Sequence, residues 1–262
     1  MTPKLSEAEK RGVEFFDYLG VKTLEEARAM DAQELMEKVK AYGGFWGTVE
    51  DGVFCVGDAM QLFMENKRIQ CPVLWGRTSS EFFVGPEVES KEDFVAMART
   101  VFGEKADASL EDIRRQASVS SIDLAVRSAC VVNQRLKTGN ALYYYNFDAE
   151  IPGWDHPGTF HSVDLWFFFE TLAKCWRPFV GKHYDLARQM CSYWAYFIKQ
   201  GNPNGLDATG EPLPQWDACT PDNAACMVFG DTAVQSNEQP NELMQLLMDR
   251  YLIQKGFAGL NG

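Results

Sequence analysis

Gly158-Thr159-Phe160-His161-Ser162-Val163-Asp164-Leu165 sets a histidine in a loop. The loop lies between the strand-like run Ala141 to Phe147 and the aromatic, helix-like run Leu165 to Leu172. A histidine just past the C-terminal end of a strand in an α/β sheet is well placed to act as a general base. A base needs a partner to orient it and a nucleophile to deprotonate, so the rest of the chain is read for both.

Two runs read as buried strands. Ala141-Leu142-Tyr143-Tyr144-Tyr145-Asn146-Phe147 is one; Pro72-Val73-Leu74-Trp75-Gly76, closed by its glycine, is the other. Met227-Val228-Phe229 adds a short third candidate. Helical patterning fills most of the remainder. Ser6-x-x-Glu9 reads as a capping box and Gly20 as its stop, Thr23-x-x-Glu26 opens a second helix, and Ala32 to Val39 forms a third. Further helices are expected over Asp58 to Glu65, from near Ser90 and Ser109, over Ser120 to Leu136, and over Asp185 to Lys199. The expected fold class is α/β, with few parallel strands, many helices and an incomplete sheet that leaves a strand edge unpaired. Residues 1–262 are read as a single domain.

Composition narrows the function. Apolar residues make up 46% of the 262 and aromatics 13%, which indicates a globular chain able to build a substantial core. With 25 basic and 37 acidic residues the net charge is −12, so phosphate backbones are repelled and nucleic acid is not an expected partner. No apolar run approaches the length of a membrane span, and no secretory leader pattern opens the chain. The seven cysteines include no C-x-x-C pair, and most have apolar neighbours; reduced, mostly buried thiols and a cytoplasmic location are expected. The three histidines (His156, His161 and His183) show no ligand spacing with cysteine, so neither a metal nor another cofactor is expected. His156 and His183 read as an exposed loop residue and an exposed helix-start residue.

Gly76-Arg77-Thr78-Ser79-Ser80-Glu81 follows the first strand, so Glu81 and His161 occupy equivalent places at one sheet edge. A carboxylate there can accept the imidazole N–H, select its tautomer and stabilise the imidazolium. The plainer reading makes Glu81 a helix-start carboxylate favoured by the dipole and His161 an ordinary loop residue.

Three ordered matches connect these residues to a known family. Pro72 to Phe83 resembles the "P-V-L-[IL]-G-x-x-x-[DS]-E" segment of type-B carboxylesterases, the cholinesterase-like branch of the α/β-hydrolases. Gly158 to Leu165 resembles their "G-[AV]-x-H-[GS]-x-[DE]-[LI]". Tyr193-Trp194 through Asn202-Pro203-Asn204 and Leu213-Pro214-Gln215-Trp216 resembles their "W-x-x-F-x-x-x-G-x-P-N … L-P-x-W" ending. The resemblance covers nearly the whole chain and is to the C-terminal portion of that hydrolase domain. It implies that Glu81 is the acid and His161 the base of a Ser-Glu-His triad, with Asp164 a structural carboxylate of the histidine loop. It also implies a small carboxylic ester as substrate.

Other parts of the family pattern are missing. No glycine is followed by serine at the second position and glycine at the fourth, so the G-x-S-x-G nucleophile turn is absent from these residues. Tyr42-Gly43-Gly44-Phe45-Trp46 imitates a Gly-rich oxyanion loop but follows a helix, where the family has a variable connection. Ser79, Ser80 and Ser162 adjoin the acid or the base, a poor geometry for attack, while Cys130 and Cys191 sit on apolar helix faces that raise thiol pKa. Trp166 and Phe167, with Trp154, Phe168 and Phe169, either line a substrate pocket or belong to the core.

The expectation is therefore a carboxylesterase portion that is inactive alone. Its partner is a complementary N-terminal half or a second copy of itself, and Met1 is an internal methionine, a secondary start or the start of one half of a split gene. The competing readings are a catalytically silent cholinesterase-like binding module and a small hydrolase with an unorthodox nucleophile.

Overall fold

A computed structural model describes residues 2–44, 46–58, 61–62, 65, 67–80, 90–103, 140–220, 223, 225–236 and 253. The helices expected from Ser109 and over 120–136 lie outside the described residues, as do residues 59, 60, 63 and 64 of the helix expected over Asp58 to Glu65. The chain divides into two compact units, Met1–Lys67 and Arg68–Gly262.

In the first unit, α1 (Leu5–Leu19), α2 (Leu24–Ala29) and α3 (Ala32–Tyr42) follow one another. The expected box at Thr23 is present: Thr23 Oγ1 accepts from Glu26 N–H at 3.1 Å, and the Glu26 carboxylate accepts from Thr23 N–H at 3.3 Å. The box expected at Ser6 is not. Glu7, not Glu9, reaches back to the chain start, accepting from Lys4 N–H at 3.1 Å, so Ser6 lies inside the first turn. Phe15, buried on α1, packs its ring on Tyr42 and Trp46 at centroid distances of 5.0 and 4.9 Å. The Tyr42-to-Trp46 segment thus begins as the end of a helix with an aromatic packing role.

The second unit holds an open four-stranded sheet in the order β1-β2-β3-β4. Its strands are β1 (Val73–Thr78), β2 (Leu142–Phe147), β3 (Cys226–Phe229) and β4 (Ala233–Ser236). The first three run parallel, with Val73 opposite Leu142 and Thr78 opposite Phe147, and β4 returns antiparallel. This is the expected α/β class. Two local readings change. β4 is too short and too polar to give an alternation signal, and Gly76 does not close β1. It sits mid-strand because a Cβ there would lie 2.2 Å from Cδ1 of Tyr145, on the neighbouring strand.

The second unit also holds α4 (Lys91–Phe102), α5 (Leu165–Phe168) and α6 (Gly181–Gln200). Ser90 caps α4, accepting from Asp93 N–H at 3.1 Å. The helix-like run after the histidine breaks early: α5 has four residues, Glu170 takes a left-handed φ of 48°, and a 3-10 turn covers Leu172–Lys174. α6 starts before Asp185 and absorbs His183, which is buried rather than exposed, its Nδ1 accepting from Val180 N–H at 3.0 Å to cap the helix. None of the six described cysteines is in a disulfide, and none is fully buried: Cys71 is exposed and the others are half-buried.

The core lies between β2–β3 and α6. Tyr145 meets Trp194 at 5.2 Å, and Tyr193 and Phe229 are both fully buried, their rings 5.7 Å apart. Each such aromatic contributes on the order of 2–3 kcal/mol by leaving water. The Asn-Pro-Asn end of α6 is tied to the Leu-Pro-x-Trp segment by one amide. Asn204 Oδ1 accepts from Trp216 N–H and its Nδ2 donates to Trp216 C=O, each at 2.8 Å. Tyr193 adds a donation of 2.6 Å to Pro214 C=O. Among the described residues, no helix is long and apolar enough to cross a membrane.

Candidate functional site

Past Thr78 the β1 chain keeps running beside its neighbour. Ser79 N–H donates to Phe147 C=O at 2.9 Å, and Ser80 N–H to Thr159 C=O at 3.1 Å. Ser80 and Phe160 form an isolated parallel bridge. These residues immediately precede Glu81 and His161 in sequence, so the two candidate positions follow paired points of the backbone. Glu81 itself lies outside the described residues.

Three hydroxyls at this edge are engaged with neighbouring side chains. Ser79 Oγ accepts from Asn146 Nδ2 at 3.1 Å, and Thr159 Oγ1 and Ser80 Oγ lie 3.4 Å apart. Gly158 turns the chain into the bridge at a φ of 64°, and a Cβ there would come within 3.3 Å of Ser80 Oγ.

His161 is exposed and opens a tight turn. Ser162 takes a left-handed φ of 68°, uncommon for a residue bearing a Cβ. Val163 then anchors the turn: it is fully buried, and its N–H donates to Phe160 C=O at 3.1 Å. Asp164 starts α5, its C=O accepting from the N–H groups of Phe167 and Phe168 at 3.0 Å. Its side chain is buried and accepts from the Tyr145 hydroxyl at 2.9 Å. That bond ties the histidine loop to the middle of the sheet.

Trp166 and Phe167 part company. Phe167 has no exposed surface and packs on Phe147 at 4.8 Å, within the core. Trp166 is half-buried, meets Phe160 edge-on at 5.7 Å, and lines a cavity of about 310 Å³ with Thr171, Lys174, Cys175, Trp176 and Arg177. Arg177 holds this side of the loop together by donating two hydrogen bonds to the Asp155 carboxylate at 2.9 and 2.8 Å and one to Pro152 C=O at 3.1 Å. The Arg177 guanidinium beside Asp155 holds that carboxyl below its ordinary range. Sequence reasoning missed both Tyr145, which reads only as a strand residue, and the Arg177–Asp155 pair, whose members are 22 residues apart with no spacing signal.

Burial and the neighbouring Glu170 push the Cys191 thiol up, while Cys130 lies outside the described residues. No group of three or more His, Cys, Asp or Glu is arranged to hold a metal among the described residues.

A family model for carboxylesterases matches residues 77–246, about two thirds of the chain. The chain belongs to the carboxylesterase family. The match takes in the Ser80–Phe160 bridge, the histidine turn and the Asn204–Trp216 tie. Solved carboxylesterase structures share the fold. A thermophilic pNB esterase superposes with a TM-score of 0.65 at 19% identity, covering 94% of this chain and 55% of that one. A carboxylesterase of Geobacillus stearothermophilus gives 0.65 at 22% identity, covering 93% and 54%. An esterase of the anaerobe Clostridium hathewayi gives 0.51 at 20% identity, covering 92% and 50%. The chain therefore spans about half the length of these family structures. No curated protein matches it.

Proposed function

We propose that this chain is the portion of a serine carboxylesterase that supplies the acid, Glu81, and the base, His161, of a Ser-Glu-His triad. The observation that carries the reading is the Ser80–Phe160 bridge, which brings together the backbone positions just before those two residues within the family match. The Tyr145–Asp164 bond supports it, because a base on a tethered loop holds its attack geometry better than one on a free loop.

In this mechanism a serine hydroxyl attacks the ester carbonyl while the His161 imidazole takes its proton, and Glu81 accepts the other ring N–H. The imidazolium returns the proton to the departing alkoxide as the tetrahedral intermediate collapses. His161 then deprotonates water, which attacks the acyl-enzyme and releases the carboxylic acid. These residues contain no G-x-S-x-G, so the serine and the oxyanion donors come from a complementary N-terminal half outside this chain, and the chain alone is inactive. Its 262 residues form the C-terminal portion of one hydrolase domain.

The test is hydrolysis of p-nitrophenyl butyrate by the purified chain, alone and mixed with a carboxylesterase segment bearing G-x-S-x-G and its Gly-rich loop. Activity only in the mixture, lost in His161→Ala and in Glu81→Gln, is the expected result. Activity of the lone chain that disappears in His161→Ala would place the nucleophile within these residues. No activity in either arm would favour a silent cholinesterase-like binding module.

A further inference from the structure

The cavity beside the histidine loop has a lining at odds with the rest of the molecule. The chain carries a net charge of −12, yet the described residues around this cavity include Lys174 and Arg177 and no carboxylate. Two indoles, Trp166 and Trp176, supply apolar wall, and Thr171 adds a hydroxyl. The walls are held firmly. The Arg177 side chain is 7% exposed, and its guanidinium carbon sits 4.6 Å from the centroid of the Trp176 ring and 5.8 Å from that of Phe160, the residue before His161. Gly153 gives it room, since a Cβ there would lie 2.5 Å from Arg177 Nη1.

The charge balance selects the ligand. Asp155 pairs with Arg177 through both oxygens and cancels its charge. Glu170, adjacent to Thr171, is not among the described residues that line the cavity. Lys174 is exposed and has no ion-pair partner among the described residues, which leaves it the uncompensated cation of the cavity. Trp176 remains 62% exposed beside the still more open Trp154, with ring centroids 6.3 Å apart, a large apolar surface for a soluble face.

We infer that the Trp166–Lys174–Trp176 cavity is a binding subsite for an aromatic carboxylate: a planar apolar body against the indoles and one anionic group at Lys174. The substrate class that follows is an ester with an aromatic ring carrying a free carboxylate, placed beside His161 by the Phe160–Trp166 contact. That class rests on the carboxylesterase reading above, whereas the binding site does not, so the test measures binding without hydrolysis.

The experiment is calorimetric titration of the purified chain with 4-hydroxybenzoate and with its neutral counterpart 4-hydroxybenzamide. The acid should bind saturably and about fivefold more tightly than the amide, the scale of one partly exposed ion pair. Lys174→Gln should abolish that preference while leaving the amide's affinity unchanged; Trp176→Ala should weaken both ligands; Lys199→Gln, at the far end of α6, should change neither. Equal affinity for acid and amide, a preference that survives Lys174→Gln, or no saturable binding would each overturn the inference.

Discussion

The hydroxyl of Tyr145, on the second strand, donates a 2.9 Å hydrogen bond to Oδ2 of Asp164 across 19 residues of chain, and both residues are buried. The bond fixes the start of α5, and therefore the turn carrying His161, against the centre of the sheet. Removing the hydroxyl takes one donor from that buried carboxylate. Tyr145→Phe should cost about 1–2 kcal/mol, read as a lower urea midpoint at unchanged m-value. Asp164→Asn keeps an acceptor and should cost less.

Gly76 should tolerate no side chain. A Cβ would sit 2.2–2.4 Å from three atoms of the Tyr145 ring, which is buried and packed on Trp194. Gly76→Ala should destabilise by about 2–3 kcal/mol, since neither the strand nor the ring has room to yield. Gly12, in α1, has open space around its Cβ position, so Gly12→Ala should stabilise by about 0.5–1 kcal/mol. Parallel thermal melts of the two variants would show shifts of opposite sign.

Ser162 follows His161 with a left-handed φ of 68°. Ser162→Gly should be neutral or stabilising by up to about 1 kcal/mol, and Ser162→Val should destabilise by a comparable or larger amount, because a β-branched residue fits that conformation worst. Chemical denaturation of the pair distinguishes backbone strain from side-chain loss, since both variants remove the same hydroxyl.

Asp155 gives a pH signature. Its carboxyl is held below the ordinary value of 3.8, first by hydrogen bonding from Arg177. The unfolded state therefore binds protons more readily than the folded state, and stability from the pair is complete above that value and lost as pH falls through the depressed one. Asp155→Asn should lower the denaturation midpoint at pH 7, and the gap to wild type should narrow in acid below about pH 3.8. A gap constant from neutral to strongly acidic pH would show that the pair contributes through packing alone.

Much of the fold was readable from local pattern. The runs Val73–Thr78 and Leu142–Phe147 are strands because their apolar and aromatic residues suit a sheet packed from both sides, and α6 shows its apolar stripe directly. Errors arose where local grammar competed with a distant contact. Gly76 reads as a strand terminator but is required by the Tyr145 ring, and His183 reads as an exposed polar residue but is buried as a helix cap. β4 carries too few residues for periodicity to register.

By itself the sequence determined the α/β class, the acidic character of the chain, and the family pattern around Glu81 and His161. These depend on residue type and short-range spacing. Only the tertiary structure decided that Ser80 pairs with Phe160, that Tyr145 holds Asp164, that Trp166 faces a cavity while Phe167 fills the core, and that Arg177 finds Asp155. Each of these joins segments that chain spacing does not relate. They come together because burying the aromatic faces of β2, β3 and α6 brings the histidine loop down onto the sheet edge.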